Sequence, residues 1–120
     1  MTGMPLFDPA VFSELNAELG SEDVTEILRV FLTDTLSKMS VIESGMQDRR
    51  AIKREAHSIK SSAATFGFAE LSWHARELEL RVEAMNSPEL LEFTQMLRQV
   101  FERTSAFANT SLLNVSQEIA

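Results

Sequence analysis

Apolar residues return every three or four positions through most of the chain, the spacing of helices that each bury one face. Val11, Phe12, Leu15 and Leu19 form the first set. Asp8 and Pro9 stand before it as an N-cap and a first-turn proline, and Gly20 follows it. The second set is the longest: Val24, Ile27, Leu28, Phe31, Leu32, Leu36, Met39, Ile42 and Met46. It predicts a helix of about six turns, capped by Ser21 and ending near Gly45, with Glu22 and Asp23 in its first turn, where acids suit the dipole. Ile52, Ala56, Ile59, Ala63 and Phe66 make a third stripe behind Asp48 as cap, and Gly67 suits the left-handed turn that closes it. A fourth helix starts near Ala69 and carries Leu71, Ala75, Leu78, Val82 and Met85. Asn86-Ser87-Pro88 breaks the pattern, with Ser87 as the expected cap of a fifth helix and Pro88 as its first residue. Its inner face is Leu90, Phe93, Leu97, Val100, Phe101, Thr104 and Ala108. No window alternates as a half-buried strand does, and there is no internal repeat. The pattern predicts an all-α fold: an antiparallel four-helix bundle with a short additional N-terminal helix, over residues 8–110. Residues 111–120 are expected to be a frayed tail.

Composition narrows the function. At 120 residues the chain is one domain, large enough to hold a core without staples. With no cysteine it has no disulfide framework and no thiolate metal site. Met1 to Asp8 lacks the basic start and apolar run of a signal peptide, and no stretch nears the ~18 apolar residues of a membrane span. A cytoplasmic location is expected. The net charge of −7 argues against a nucleic-acid binder. Its distribution says more. Arg49, Arg50, Lys53, Arg54 and Lys60 fall within residues 49–60 beside a single acid, Glu55, so that segment is +4 and the remainder −11. A basic patch on an acidic protein suits an anion or an acidic partner; a plain solvated helix face is the alternative.

His57 lies within this patch and points away from the buried stripe of its helix. Its same-face neighbours are Arg50, Lys53 and Arg54 before it, and Lys60, Ser61 and Ala64 after it. A neutral imidazole nitrogen can attack phosphorus, and the resulting phosphoramidate is reactive enough to pass the group on. Phosphoryl transfer needs positioning and charge neutralisation above all. Lys60 can supply a point charge to phosphoryl oxygens. Ser61 and Ala64 are small and leave the ring open to a partner. Arg50, Lys53 and Arg54 serve either partner docking or solubility. His74 sits beside Ala75 and Leu78 at a core edge, where a packing role is expected. Two histidines without cysteine make no zinc site, so no metal is expected. Trp73 either lines a partner surface or covers a core edge.

The ordered set Ala56, His57, Ile59, Lys60, Ser62, Gly67, Leu71, Leu78 and Glu79 resembles the motif of histidine-containing phosphotransfer (HPt) domains. The likeness extends in helix order over roughly residues 8 to 110. One position departs: the family's glycine four residues after the histidine is Ser61. The resemblance implies a helical bundle and a phosphorelay protein of two-component signalling. In such a protein His57 takes a phosphoryl group from a receiver-domain aspartate and passes it to another receiver. Response-regulator receiver domains and a hybrid sensor kinase are the implied partners, and a monomer is the implied state. The chain needs no cofactor of its own, because the magnesium and acceptor aspartate belong to the receiver. Without a P-loop or Gly-rich nucleotide loop, it is expected to be a stoichiometric phosphocarrier and not an ATP-dependent autokinase. A kinase dimerisation helix also displays a histidine, but has an acid directly after it and a proline five on, where this chain has Ser58 and Ser62. The rival reading is a non-phosphorylated helical interaction module that binds receiver domains.

Overall fold

The computed structural model describes residues 3–113. It contains α1 (Pro9–Leu19), α2 (Ser21–Ser44), α3 (Arg49–Phe66), α4 (Ala69–Arg81) and α5 (Ser87–Phe107), followed by a π-helical segment, Ala108–Leu113. The fold is all-α, and no strand occurs among the described residues. The long helices α2 to α5 form the bundle, and α1 lies against α2 and α3. Its core is one cluster drawn from α2 to α5, their connecting turns and the π-helical segment, including Leu28, Met39, Ile42, Ile52, Ile59, Leu71, Leu78 and Leu97.

Several ends form as the residues dictate. Asp8 accepts from the Ala10 amide and Pro9 begins α1. Asp48 accepts from the Ala51 amide at the start of α3. At the end of α3, Gly67 is left-handed (φ 85°), and the Gly67 and Phe68 amides donate to the Ala64 and Ala63 carbonyls, which closes the helix. Two caps differ from expectation by one residue. Ser21 is the first residue of α2 and caps nothing, because Gly20 at φ 88° both ends α1 and begins α2. Asn86, not Ser87, caps α5: its side chain accepts from the Glu89 amide while Glu89 accepts from the Asn86 amide. Pro88 thus sits one position further in, where its missing N–H is still one that no helix carbonyl requires.

The predicted stripes of α3, α4 and α5 face the core. Val82 and Met85 are buried but lie in the turn after α4. In α2, Ile27 and Leu36 remain 37% and 46% exposed, so that stripe is narrower than its sequence suggests. Thr35 is buried in their place.

The packed unit also reaches beyond residues 8–110. Phe7 packs on Phe12, Phe68 and Phe107, and the Pro5 carbonyl accepts from the Glu70 amide. Leu113, assigned to the expected tail, is buried. Residues 114–120 of that tail lie outside the described residues. No helix among the described residues is long and apolar enough to cross a membrane.

Candidate functional site

The rotation of α3 is set by its stripe: Ile52, Ala56, Ile59 and Ala63 are fully buried. His57 follows Ala56 by one residue, about 100° around the helix, and so emerges at the seam with α4. Its side chain is 59% exposed. These helices are antiparallel and joined by the short turn at Gly67 and Phe68, and they pack more extensively than any other pair.

Glu79 of α4 closes the site. Its Oε2 lies 2.6 Å from His57 Nδ1, and its Oε1 accepts from Lys60 Nζ at 2.8 Å. One carboxylate thus spans two residues a helical turn apart. The hydrogen bond from Lys60 holds the Glu79 carboxyl below the usual range; partial burial opposes this, and the His57 contact adds to the lowering. Glu79 is therefore ionised near neutral pH and can only accept. Nδ1 must carry the hydrogen, which leaves the lone pair of a neutral His57 on Nε2, the other ring nitrogen.

The other expected site residues are spread along α3. Ser61 and Ala64 are exposed after His57, and the Ser61 carbonyl accepts from Thr65 Oγ1. Arg50, Lys53 and Arg54 are exposed before it. Lys53 pairs with Glu83 at 3.2 Å, and Arg54 faces Glu55 at 3.8 Å. Arg49, counted in the basic segment, turns inward instead. Its Nη1 donates to the Val82 and Met85 carbonyls at 2.5 and 2.6 Å and caps the end of α4.

Two contributors escaped the reading of sequence. Glu79 stood in the motif without a role, because nothing local places it against His57. Ser72 carried no signal at all; its hydroxyl donates to the Lys60 carbonyl at 2.9 Å. Trp73 lines an apolar cleft of about 290 Å³ with Val11, Ala64 and Arg76, at the end of α3 beyond Ser61. A larger groove of about 670 Å³ runs between α2 and α5 and is lined by no residue of α3 or α4. Among the described residues no group of three or more His, Asp or Glu side chains could hold a metal ion.

His74 is set apart from this chemistry. It is 4% exposed, its ring edge-on to Trp73 and Phe93, and its Nδ1 has no hydrogen-bond partner among the described residues. Burial lowers its pKa from 6.5, with nearby Glu70 opposing and Arg103 reinforcing. The folded protein thus favours neutral His74, and the unfolded chain binds the proton more readily. Stability should be fully present above the unfolded value near ~6.5 and fall as pH drops below it toward the lowered folded value. Melting temperatures at pH 5.3 and 7.5 check this. A His74→Gln protein should lose most of that dependence, and an unchanged slope would assign it elsewhere.

A family model described as the Hpt domain matches residues 26–104. The phosphorelay protein LuxU of Vibrio harveyi is 29% identical over 97 residues, which is 73% of this chain and 85% of that protein. The phosphorelay protein LuxU of Vibrio vulnificus strain YJ016 is 30% identical over 82 residues, covering 67% of this chain and 71% of that protein. No solved structure matches significantly.

Proposed function

Because the chain belongs to the Hpt domain family and is a phosphorelay phosphotransfer protein in the general sense, we propose that His57 is the residue that carries the phosphoryl group. The observation behind this reading is the shared carboxylate of Glu79. It orients the imidazole with Nδ1–H inward and, through Lys60, keeps a cation beside the ring.

The Nε2 lone pair attacks the phosphorus of an aspartyl phosphate on a receiver domain. The N–P bond forms as the P–O bond breaks, and the aspartate leaves as a carboxylate with the bonding pair. The ring, still protonated at Nδ1, becomes cationic, and Glu79 balances that charge at 2.6 Å. Return to a second receiver reverses the sequence, and a neutral imidazole leaves. No proton need enter or depart. Lys60 has three N–H donors. One serves Glu79, and another reaches toward the phosphoryl oxygens as charge gathers there. The magnesium that such a step uses belongs to the receiver. Arg50, Lys53 and Arg54 draw an acidic partner in, while Ser61 and Ala64 give it room. The protein acts as a monomeric, stoichiometric carrier in the cytoplasm between a hybrid sensor kinase and a response regulator, and it does not phosphorylate itself from ATP.

Incubation with a phosphorylated receiver tests this. Label should move to the chain and then to a second receiver. Binding without label would leave an interaction module that acts by occupancy.

Glu79→Gln keeps the shape of the side chain but removes its charge. A charge-assisted hydrogen bond contributes about 1.5–3 kcal/mol, so transfer should slow roughly ten- to hundredfold while the bundle melts within a few degrees of the parent. Rapid-quench rates within twofold of the parent would show that the carboxylate does not support the reacting ring.

A further inference from the structure

Glu79 has a long side chain, and something must hold α4 at the height where that carboxylate meets both His57 and Lys60. Among the described residues six polar contacts join α3 to α4 and the turn after it: Arg49 to the Val82 carbonyl and to the Met85 carbonyl, Lys53 to Glu83, His57 to Glu79, Lys60 to Glu79, and Ser72 to the Lys60 carbonyl. Five involve long side chains that tolerate sliding of one helix along the other. The sixth does not. The Ser72 hydroxyl sits one bond beyond Cβ, and its acceptor is backbone, so its 2.9 Å length tracks the axial offset of the helices directly. Ser72 and Glu79 are seven residues apart, two turns or about 10.5 Å along α4 on the same side. The acceptor carbonyl belongs to Lys60, one turn beyond His57.

We propose that Ser72 is a positioning residue for phosphoryl transfer. Its bond to the Lys60 carbonyl fixes the register of α4 on α3 and thereby delivers Glu79 to His57 Nδ1. The proposal rests on His57 being the reacting residue. It assigns Ser72 no contact with the phosphoryl group.

Alanine at this position removes the register bond and keeps a good helix former. Glu79 then samples positions from which it no longer holds both partners. Threonine restores the hydroxyl on the same backbone. In long-range ¹H–¹⁵N spectra of the His57 ring, Ser72→Ala should lower the fraction with hydrogen on Nδ1, and Ser72→Thr should restore it. The phosphotransfer rate at saturating receiver should fall about three- to tenfold in Ser72→Ala with KM within twofold, and threonine should recover it. Ring shifts and a saturating rate equal to the parent's in Ser72→Ala would overturn the proposal, as would a rate loss that threonine does not repair. The ring spectra need no phosphorylation. If the parent protein takes no label, the carrier reading fails while the spectra still judge Ser72.

Discussion

His57→Gln should carry no acid-labile, alkali-stable label after incubation with a phosphorylated receiver. This is the largest effect expected of any single substitution, because no other group can take over. The phosphoramidate needs an accessible ring nitrogen with a free lone pair. His57 offers one at the surface, with its side chain 59% exposed. His74 is 4% exposed and walled by Trp73 and Phe93, so a receiver cannot bring its aspartyl phosphate within bonding distance. Glutamine at 57 can still reach Glu79 with an amide N–H, and an exposed position alters stability by only about 0.5 kcal/mol. The variant should therefore fold, bind the receiver and block the relay, while His74→Gln keeps its label. Undiminished labelling of His57→Gln would place the acceptor elsewhere and remove the basis for the mechanism.

The second large effect concerns stability. Gly67→Ala should unfold the protein at a temperature lower by roughly 10 °C or more. Two penalties coincide there. The residue is left-handed, at φ 85°, which costs an ordinary side chain about 1–2 kcal/mol. An added Cβ would also lie 2.6 Å from the Asp8 carbonyl oxygen and 3.2 Å from Val11 Cβ. The chain is held at that approach, since the Asp8 amide donates to the Gly67 carbonyl at 2.7 Å. Overpacking adds about 1–3 kcal/mol, for a total near 2–5 kcal/mol. Asparagine accepts the left-handed backbone but meets the same carbonyl, so Gly67→Asn should recover only part of the loss. A calorimetric melt of Gly67→Ala matching the parent would show that α1 moves away from the turn at no cost.

The sequence made the rotation of α3 legible because burial follows a helical period: Ile52, Ala56, Ile59 and Ala63 could face one way only, and His57 another. Lys60 was legible for the same reason, as a neighbour one turn along. Glu79 was not, because its approach to His57 depends on the register of two helices across a turn, which no spacing in one helix encodes. Arg49 misled the charge reading, since a count cannot distinguish a guanidinium in solvent from one capping a neighbouring helix. The shifted caps have a local cause. Gly20 and Ser21, like Asn86 and Ser87, are adjacent residues both suited to a helix start, and backbone angles decide between them. Ile27 and Leu36 were over-assigned to the core because α2, at 24 residues, is the longest helix and its neighbours cover a narrower strip of it than its apolar residues occupy.

The inward turn of Arg49 reshapes what a visitor to α3 encounters. With that charge spent on the end of α4, Lys53 facing Glu83 and Lys60 facing Glu79, the least compensated cations of α3 among the described residues are Arg50 and Arg54, the latter with Glu55 no nearer than 3.8 Å. Both precede His57; the residues that follow it on the same face, Ser61 and Ala64, carry no charge. The helix therefore has a lopsided field, strong on one side of His57 and flat on the other. A body with one acidic flank that drifts within a screening length, ~8 Å in physiological salt, feels a torque as well as a pull. Such a body would be turned before it touches, with its acidic flank toward the basic half of α3.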